Sequence, residues 1–208
     1  VSHATLRVCV VRNRGGLCEA TGIRTDVDIV AFSADLVQWG KGVKLYYVPN
    51  ARHGASPFAG TKVTSWSQNL TWYEEAHERG FDEVILLNEH GHVSECTSAN
   101  IFAMQGNTVY TPPLAEAGCL PGVTRAILVE EIRVRGLSIE EGDLTPAQLE
   151  SADQVFITST TRNLLPVLEI EGRAVRQNPQ TLKTLSSAFY EYQAGYVARL
   201  RRHETVKT

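Results

Sequence analysis

Near its start the chain contains segments in which apolar and polar residues alternate and segments of several consecutive apolar residues. Residues 5–12, 26–32 and 43–48 are rich in β-branched and aromatic side chains, which predicts three strands. Strands without a helix of their own rarely form a stable unit. We therefore expect residues 1–48 to be the remainder of a small N-terminal α/β domain. An interdomain linker is predicted at residues 49–57, which contain proline, glycine and serine.

Apolar residues then recur at helical spacing. Four of them between positions 63 and 73 lie three or four apart, which predicts a helix over residues 62–79 with Lys62 in its first turn. A second helix, predicted from Gly122 to about Arg135, carries apolar residues on more than one side and should be largely buried. Further strands are predicted at 83–87, 153–158 and 165–170, a hairpin turn at Gly106–Asn107, and a closing helix at about 180–202.

Composition limits the class of protein. With 43% hydrophobic and 21% charged residues, the 208-residue chain can bury a sizeable core, and its net charge of -3 argues against nucleic acid as a partner. The four cysteines have no CxxC spacing, so neither a zinc site nor a disulfide framework is indicated. No apolar run is long enough to span a membrane. We expect a cytoplasmic α+β protein with a large, β-rich C-terminal domain over residues 58–208, flanked by helices.

A lysine and a glutamate could act on one cofactor. At the start of a helix and partly desolvated, Lys62 would favour the neutral amine that forms a Schiff base. Glu95 precedes a run of small polar residues, and a buried carboxylate there would need a cationic partner such as a protonated pyridine nitrogen. Taken singly, each residue is more simply a charge on the surface.

Two stretches offer donors for anionic groups. Residues 122–124 open a predicted helix, whose free N–H groups and dipole suit a phosphate, with the Thr124 hydroxyl as an added donor. Residues 158–161 (TSTT) end a predicted strand and offer hydroxyls and amides to a second anion. The plainer alternatives are an ordinary helix cap and a common strand-end turn. With Lys62 and Glu95, these stretches predict a site for pyridoxal phosphate.

Other chemistries have weaker signals. His90 and His92 lie on a predicted turn near Glu89 and Glu95, and we expect no metal there. The chain has no GxSxG elbow for a serine nucleophile. It also has no GxGxxG or GxxxxGK[ST] loop for a dinucleotide or nucleotide.

The candidate stretches occur in the order found in a known family. They are residues 59–62 (AGTK), 94–102 (SECTSANIF), 111–113 (TPP) with 120–125 (LPGVTR), and 156–161 (FITSTT) followed by 166–167 (PV). In these motifs the chain, from Leu6 to about Val175, resembles the class IV, or fold type IV, pyridoxal-phosphate aminotransferases. That family includes branched-chain aminotransferases, D-amino-acid aminotransferases and aminodeoxychorismate lyases.

The resemblance implies a role for each site residue. Lys62 is similar to the lysine that binds the cofactor covalently and moves the substrate proton, and Glu95 to the partner of the pyridine nitrogen. Leu120 would pack on the ring. The implied phosphate ligands are Gly122, Val123, Thr124 and Thr160, and the implied substrate contacts are Thr161, Ser98, Arg7 and Arg12. Because Arg7 and Arg12 are five positions apart on one strand, they should face opposite sides.

The resemblance also implies an activity. The expected reaction is transfer of an amino group between an amino acid, branched-chain or a related aliphatic one, and a 2-oxo acid, in a homodimer. Two alternatives stay open. One is a lyase that releases pyruvate from aminodeoxychorismate with the same lysine and glutamate, and the other is a truncated, non-catalytic relative.

Overall fold

A computed structural model describes residues 4–13 and 25–205 of the chain, which divides into two compact units, Val1–Gln38 and Trp39–Thr208. In the first unit, β1 (Thr5–Arg12) pairs with β2 (Val27–Ala34) in an antiparallel sheet, as predicted. Cys18 lies outside the described residues. Across this sheet Arg7 is opposite Phe32 and Arg12 is opposite Val27 in a continuous register, so the two arginines do face opposite sides.

The second unit combines a large sheet with helices, which confirms the α+β class. Its elements are β3 (Val43–Val48), α1 (Ser67–Glu78), β4 (Glu83–Leu87), β5 (Val93–Cys96), β6 (Asn100–Gln105), β7 (Thr108–Thr111), α2 (Leu114–Ala117), α3 (Val123–Glu130), β8 (Ser138–Glu141), α4 (Pro146–Ser151), β9 (Gln154–Ser159), β10 (Asn163–Ile170), β11 (Arg173–Ala174) and α5 (Pro179–Thr205). In the described part of this unit, nine strands form one mixed sheet in the order β5-β4-β3-β10-β9-β6-β7-β8, with β11 paired to β10. The predicted hairpin at Gly106–Asn107 joins β6 to β7.

The sheet buries apolar residues on both faces because its strands alternate in the usual way. Ile101 belongs to a cluster of strand side chains that includes Leu45 and Ile157. The next residue, Phe102, faces the other way and stacks on Phe156 with ring centroids 5.0 Å apart. Helices α3 and α5 cover that second face with their buried apolar residues, which are Leu128, Leu185 and Phe189.

The boundary between the two units falls at Gln38–Trp39 rather than in the predicted linker, residues 49–57. Strand β3 lies between β4 and β10 and so belongs to the large sheet. The segment that follows it is also held there, since the amides of Ala51 and Arg52 both donate to the Leu87 carbonyl oxygen.

The helix predicted to begin at Lys62 begins instead at Ser67. Its first helical hydrogen bond runs from the Leu70 amide to the Trp66 carbonyl oxygen. Lys62 therefore lies in an irregular segment, and the expected helix dipole does not act on its amine. The apolar spacing misleads because Val63 and Leu70 are exposed, whereas Trp72 and Ala76 pack against the sheet.

Helix α3 begins at Val123, one residue after its predicted start at Gly122, and ends at Glu130 instead of near Arg135. The side chain of Arg133 donates to the carbonyl oxygens of Val129, Glu130 and Ile132. These hydrogen bonds satisfy carbonyl oxygens at the end of the helix that have no partner within it. Within the described ranges, no helix combines the length and the hydrophobicity needed to cross a membrane.

Candidate active site

Glu95 is the buried acid of the candidate site. It lies in β5, is 8% exposed, and each of its carboxylate oxygens accepts a hydrogen bond of 3.0 Å, from Arg52 Nε and from the Leu120 amide. Burial raises the pKa of the Glu95 carboxyl, and the charges of Arg52 and Lys62 and the Leu120 amide partly oppose that rise. A carboxylate oxygen can accept more than one hydrogen bond, so this acid can still receive a proton donor from a ligand.

Arg52 was not predicted, because it lies in the segment taken for a linker and no periodic pattern marks it. Besides Glu95, its guanidinium donates to Asn69 Oδ1 at 3.1 Å. Asn69, on α1, in turn donates to the Thr97 carbonyl oxygen at 2.9 Å. Arg52 is thus held by Asn69 of helix α1, which is itself bound to the backbone at Thr97, two residues after Glu95.

The backbone before Lys62 packs against the segment that leads to Leu120. Gly60 has a φ of 69° and its amide donates to the Gly118 carbonyl oxygen at 3.3 Å. A side chain at Gly60 would place its Cβ 3.2 Å from the Cys119 carbonyl oxygen. Lys62 itself is exposed, and its charge is the smallest of the influences that lower the pKa of the Glu95 carboxyl. The structure therefore places the segment before Lys62 against the segment whose Leu120 amide donates to Glu95.

The start of α3 is fixed by a close approach between Gly122 and Asn100. A Cβ at Gly122 would lie 2.1 Å from Asn100 Oδ1, so only glycine fits there without a shift. The amide of the same Asn100 side chain donates to the Leu120 carbonyl oxygen at 2.8 Å. Thr124, in the first turn, is buried, whereas Val123 is 69% exposed. Glu95 and Asn100 thus hold the loop that precedes the helix by its amide and its carbonyl.

The TSTT stretch lies at the end of β9 and in the turn that follows. Thr158 pairs with Asn100 across β9 and β6, so their side chains share one face of the sheet. The Thr158 hydroxyl is buried and has no hydrogen-bond partner among the described residues. An unpaired buried hydroxyl costs free energy, so its position fits a site completed by a polar ligand. Thr160 and Thr161 follow in the turn, where Thr160 is exposed.

The predicted substrate contacts lie in two places. Ser98 follows β5, and its hydroxyl donates to Glu83 at 2.7 Å and accepts from Arg162 at 2.8 Å. The buried ion pair of Glu83 and Arg162, which Ser98 joins, was not predicted. Arg7 and Arg12 are exposed on the sheet of the first unit. A role in substrate binding stays a prediction for all three residues.

Metal ligands are not grouped in the described ranges, where no three His, Cys, Asp or Glu side chains are arranged to hold an ion. The Nδ1 atom of His92 lies 3.8 Å from Asp143 Oδ2, and the Nδ1 atom of His53 lies 3.3 Å from Glu89 Oε1.

Gly122→Ala tests the close approach at the start of α3. We expect the added methyl group to push Asn100 or the loop aside and to weaken pyridoxal phosphate binding by about tenfold, the loss of about one hydrogen bond to a charged group. Spectroscopic titration with the cofactor measures the change. Gly40→Ala is the matched control, because a Cβ there meets no atom within 4 Å. If the two variants bound pyridoxal phosphate with equal affinity, the start of α3 would not be part of the cofactor site.

Comparison with known proteins gives the family. The model of the family described as Amino-transferase class IV matches residues 1–170 of the chain. The chain is 28% identical over 184 residues to a branched-chain-amino-acid aminotransferase of Escherichia coli (strain K12), covering 84% of this chain and 59% of that protein. It is 36% identical over 107 residues to a D-alanine aminotransferase of Bacillus licheniformis, covering 51% of this chain and 37% of that protein.

A solved structure also has a similar fold. It is a protein of Legionella pneumophila subsp. pneumophila str. Philadelphia 1 that is named only provisionally as a 4-amino-4-deoxychorismate lyase. It superposes with a TM-score of 0.79 at 25% identity, covering 91% of this chain and 70% of that structure. The chain belongs to the class IV aminotransferases, which confirms the predicted family and fold. It spans 59% and 37% of the lengths of the two curated relatives.

Proposed function

We propose that this protein is a pyridoxal-phosphate-dependent transaminase. The observation that carries the proposal is the buried Glu95 carboxyl, held by Arg52 and by the Leu120 amide, whose segment is hydrogen-bonded to Gly60, two residues before Lys62. An acid, an amine and a helix N-terminus are what the ring nitrogen, the aldehyde and the phosphate of the cofactor require. The buried, unpaired hydroxyl of Thr158 on the same side as Asn100 also fits a polar ligand.

Each residue then has a defined task. Lys62 would hold the cofactor covalently and move a proton at the substrate α-carbon, which its exposed position permits. Glu95 would keep a proton on the ring nitrogen, and the cofactor would supply an electron sink. Leu120 would pack on the ring, and residues 122–124 and Thr160 would hold the phosphate.

The substrate is an amino acid paired with a 2-oxo acid. The name of the Escherichia coli relative supports a branched-chain or related aliphatic amino acid. Thr161 would contact its carboxylate, and Ser98, Arg7 and Arg12 stay predicted substrate contacts. Arg7 and Arg12 face opposite sides of β1, so only one of them could serve any one site. We propose a homodimer by family likeness, in the cytoplasm, where the free cysteines Cys9, Cys96 and Cys119 would stay reduced.

A lyase that releases pyruvate from aminodeoxychorismate is the second candidate, which the Legionella pneumophila structure favours. Both reactions would use Lys62 and Glu95, and they differ in the need for an amino acceptor. A non-catalytic relative is the third candidate.

The test mixes the natural protein and pyridoxal phosphate with L-leucine, or with D-alanine, and follows the absorbance change to the pyridoxamine form. Conversion by either amino acid, reversed by a 2-oxo acid, supports transamination. Pyruvate release from aminodeoxychorismate without any amino acceptor would instead support the lyase. A protein that takes up no cofactor would contradict both.

A further inference from the structure

A buried ion pair lies beside the candidate site and has no part in the chemistry described so far. Glu83, the first residue of β4, is fully buried. Its carboxylate accepts hydrogen bonds from the hydroxyl and amide of Thr97, from the Ser98 hydroxyl at 2.7 Å, and from Arg162 at 3.2 Å. Burial raises the pKa of this carboxyl, and Arg162, Ser98 and the backbone amides oppose the rise.

Arg162 is the cation of the pair, and it connects three parts of the second unit. Its side chain is 5% exposed. One terminal nitrogen donates to the Ser98 hydroxyl at 2.8 Å and to the Ser98 carbonyl oxygen at 3.2 Å, and the other donates to Glu83. The guanidinium carbon lies 4.1 Å from the centroid of the Trp39 ring, a cation–π contact.

The position of Arg162 in the chain gives the pair its importance. It belongs to the turn between β9 and β10, directly after Thr160 and Thr161, and its amide donates to the Ser159 hydroxyl. Its partner Ser98, and Thr97, which donates to Glu83, follow Glu95 and precede Asn100. The guanidinium thus joins the turn proposed to contact the phosphate to the loop that follows the ring-nitrogen acid.

Stability is a weak reason to keep such a pair. Removing two charges from water costs several kcal/mol per ion, and an apolar pair of similar volume is often equally stable. The pair is also incompletely satisfied, because Arg162 Nε is buried without a hydrogen-bond partner in the described part of the chain, as is Nε1 of its neighbour Trp39. A planar guanidinium with fixed donors does, however, define distance and angle between two loops better than an apolar contact does.

We propose that Arg162 is a positioning residue, which sets the β9–β10 turn so that Thr160 and Thr161 reach an anionic group of the bound ligand. This inference rests on the proposed function. Arg162 acts through the turn and through Glu83, without touching the cofactor.

The test compares pyridoxal phosphate with pyridoxal, which has the same ring and aldehyde but no phosphate. Dissociation constants for both are measured by spectroscopic titration of the wild-type protein and of Arg162→Lys. Lysine keeps the charge but cannot reproduce the forked contacts to Ser98 and Glu83. We expect Arg162→Lys to lower the preference for pyridoxal phosphate over pyridoxal by about tenfold, the loss of about one hydrogen bond to a charged group. A general loss of stability would weaken both ligands in parallel.

Glu83→Gln is the second variant, because it loosens the same pair from the other side and should change the preference in the same direction. Arg173→Lys is the matched control, since its guanidinium pairs with Glu150 at 2.9 Å and its side chain is 74% exposed. If both test variants kept the wild-type preference, the positioning role would be wrong and the proposed function would stand. A wild-type protein that bound neither ligand would overturn the proposed function, and this inference with it.

Discussion

Replacing Lys62 with alanine is expected to abolish covalent attachment of pyridoxal phosphate and to lower transamination by at least about 10³-fold. Lys62 is exposed, and Gly60, two residues earlier, is hydrogen-bonded to the segment that supplies the Leu120 amide to Glu95. Loss of its amine removes both the covalent bond and the group that moves the proton. Reduction with borohydride, digestion and mass spectrometry identify the attached lysine in the wild-type protein.

Lys183→Ala is the control for Lys62→Ala. Lys183 is an exposed lysine of α5, and we expect its replacement to leave attachment and rate unchanged. Any reduced adduct that Lys62→Ala still formed on another lysine would show that Lys62 had been wrongly assigned.

Most of the strands could be predicted from their runs of apolar and β-branched residues, although β8 and β11 were not. Residues 83–87 are apolar apart from Glu83, and all five are buried in β4. The helix at Lys62 could not be predicted correctly by the same reasoning. Apolar residues at 63 and 70 fit a helical period, but both are exposed in the structure and the helix begins only at Ser67. Lys62 itself was identified from its motif, which does not depend on the helix.

The arginines that pair with Glu95 and with Glu83 show a limit of a different kind. Arg52 pairs with Glu95 43 positions away, and Arg162 pairs with Glu83 79 positions away. A single charged residue in an aperiodic segment gives no local sign that it is buried, because its partner is brought near only by the fold. The acid Glu95 was predicted from its motif, whereas its protein partner had to be found in the structure.

This pairing makes Glu95 the residue to test next. Arg52 Nε and the Leu120 amide are both donors, so the two oxygens of Glu95 are both needed as acceptors. Glutamine has one oxygen, and its NH₂ group would face a donor on one side. It also carries no negative charge to hold a proton on the ring nitrogen. The change therefore alters the electrostatics of the site far more than its shape.

Glu95→Gln is expected to keep pyridoxal phosphate, which Lys62 and the start of α3 still hold, but to slow the half-reaction with an amino acid by about 10²- to 10³-fold. Single-turnover absorbance measurements give that rate, and titration gives the affinity. Glu74→Gln on the exposed side of α1 is the control and should match the wild-type rate. If the Glu95→Gln half-reaction ran at the wild-type rate, the buried acid would not act on the ring nitrogen. The Arg52–Glu95 pair would then serve only to fix the Leu120 loop, because that is the contact glutamine can still partly make.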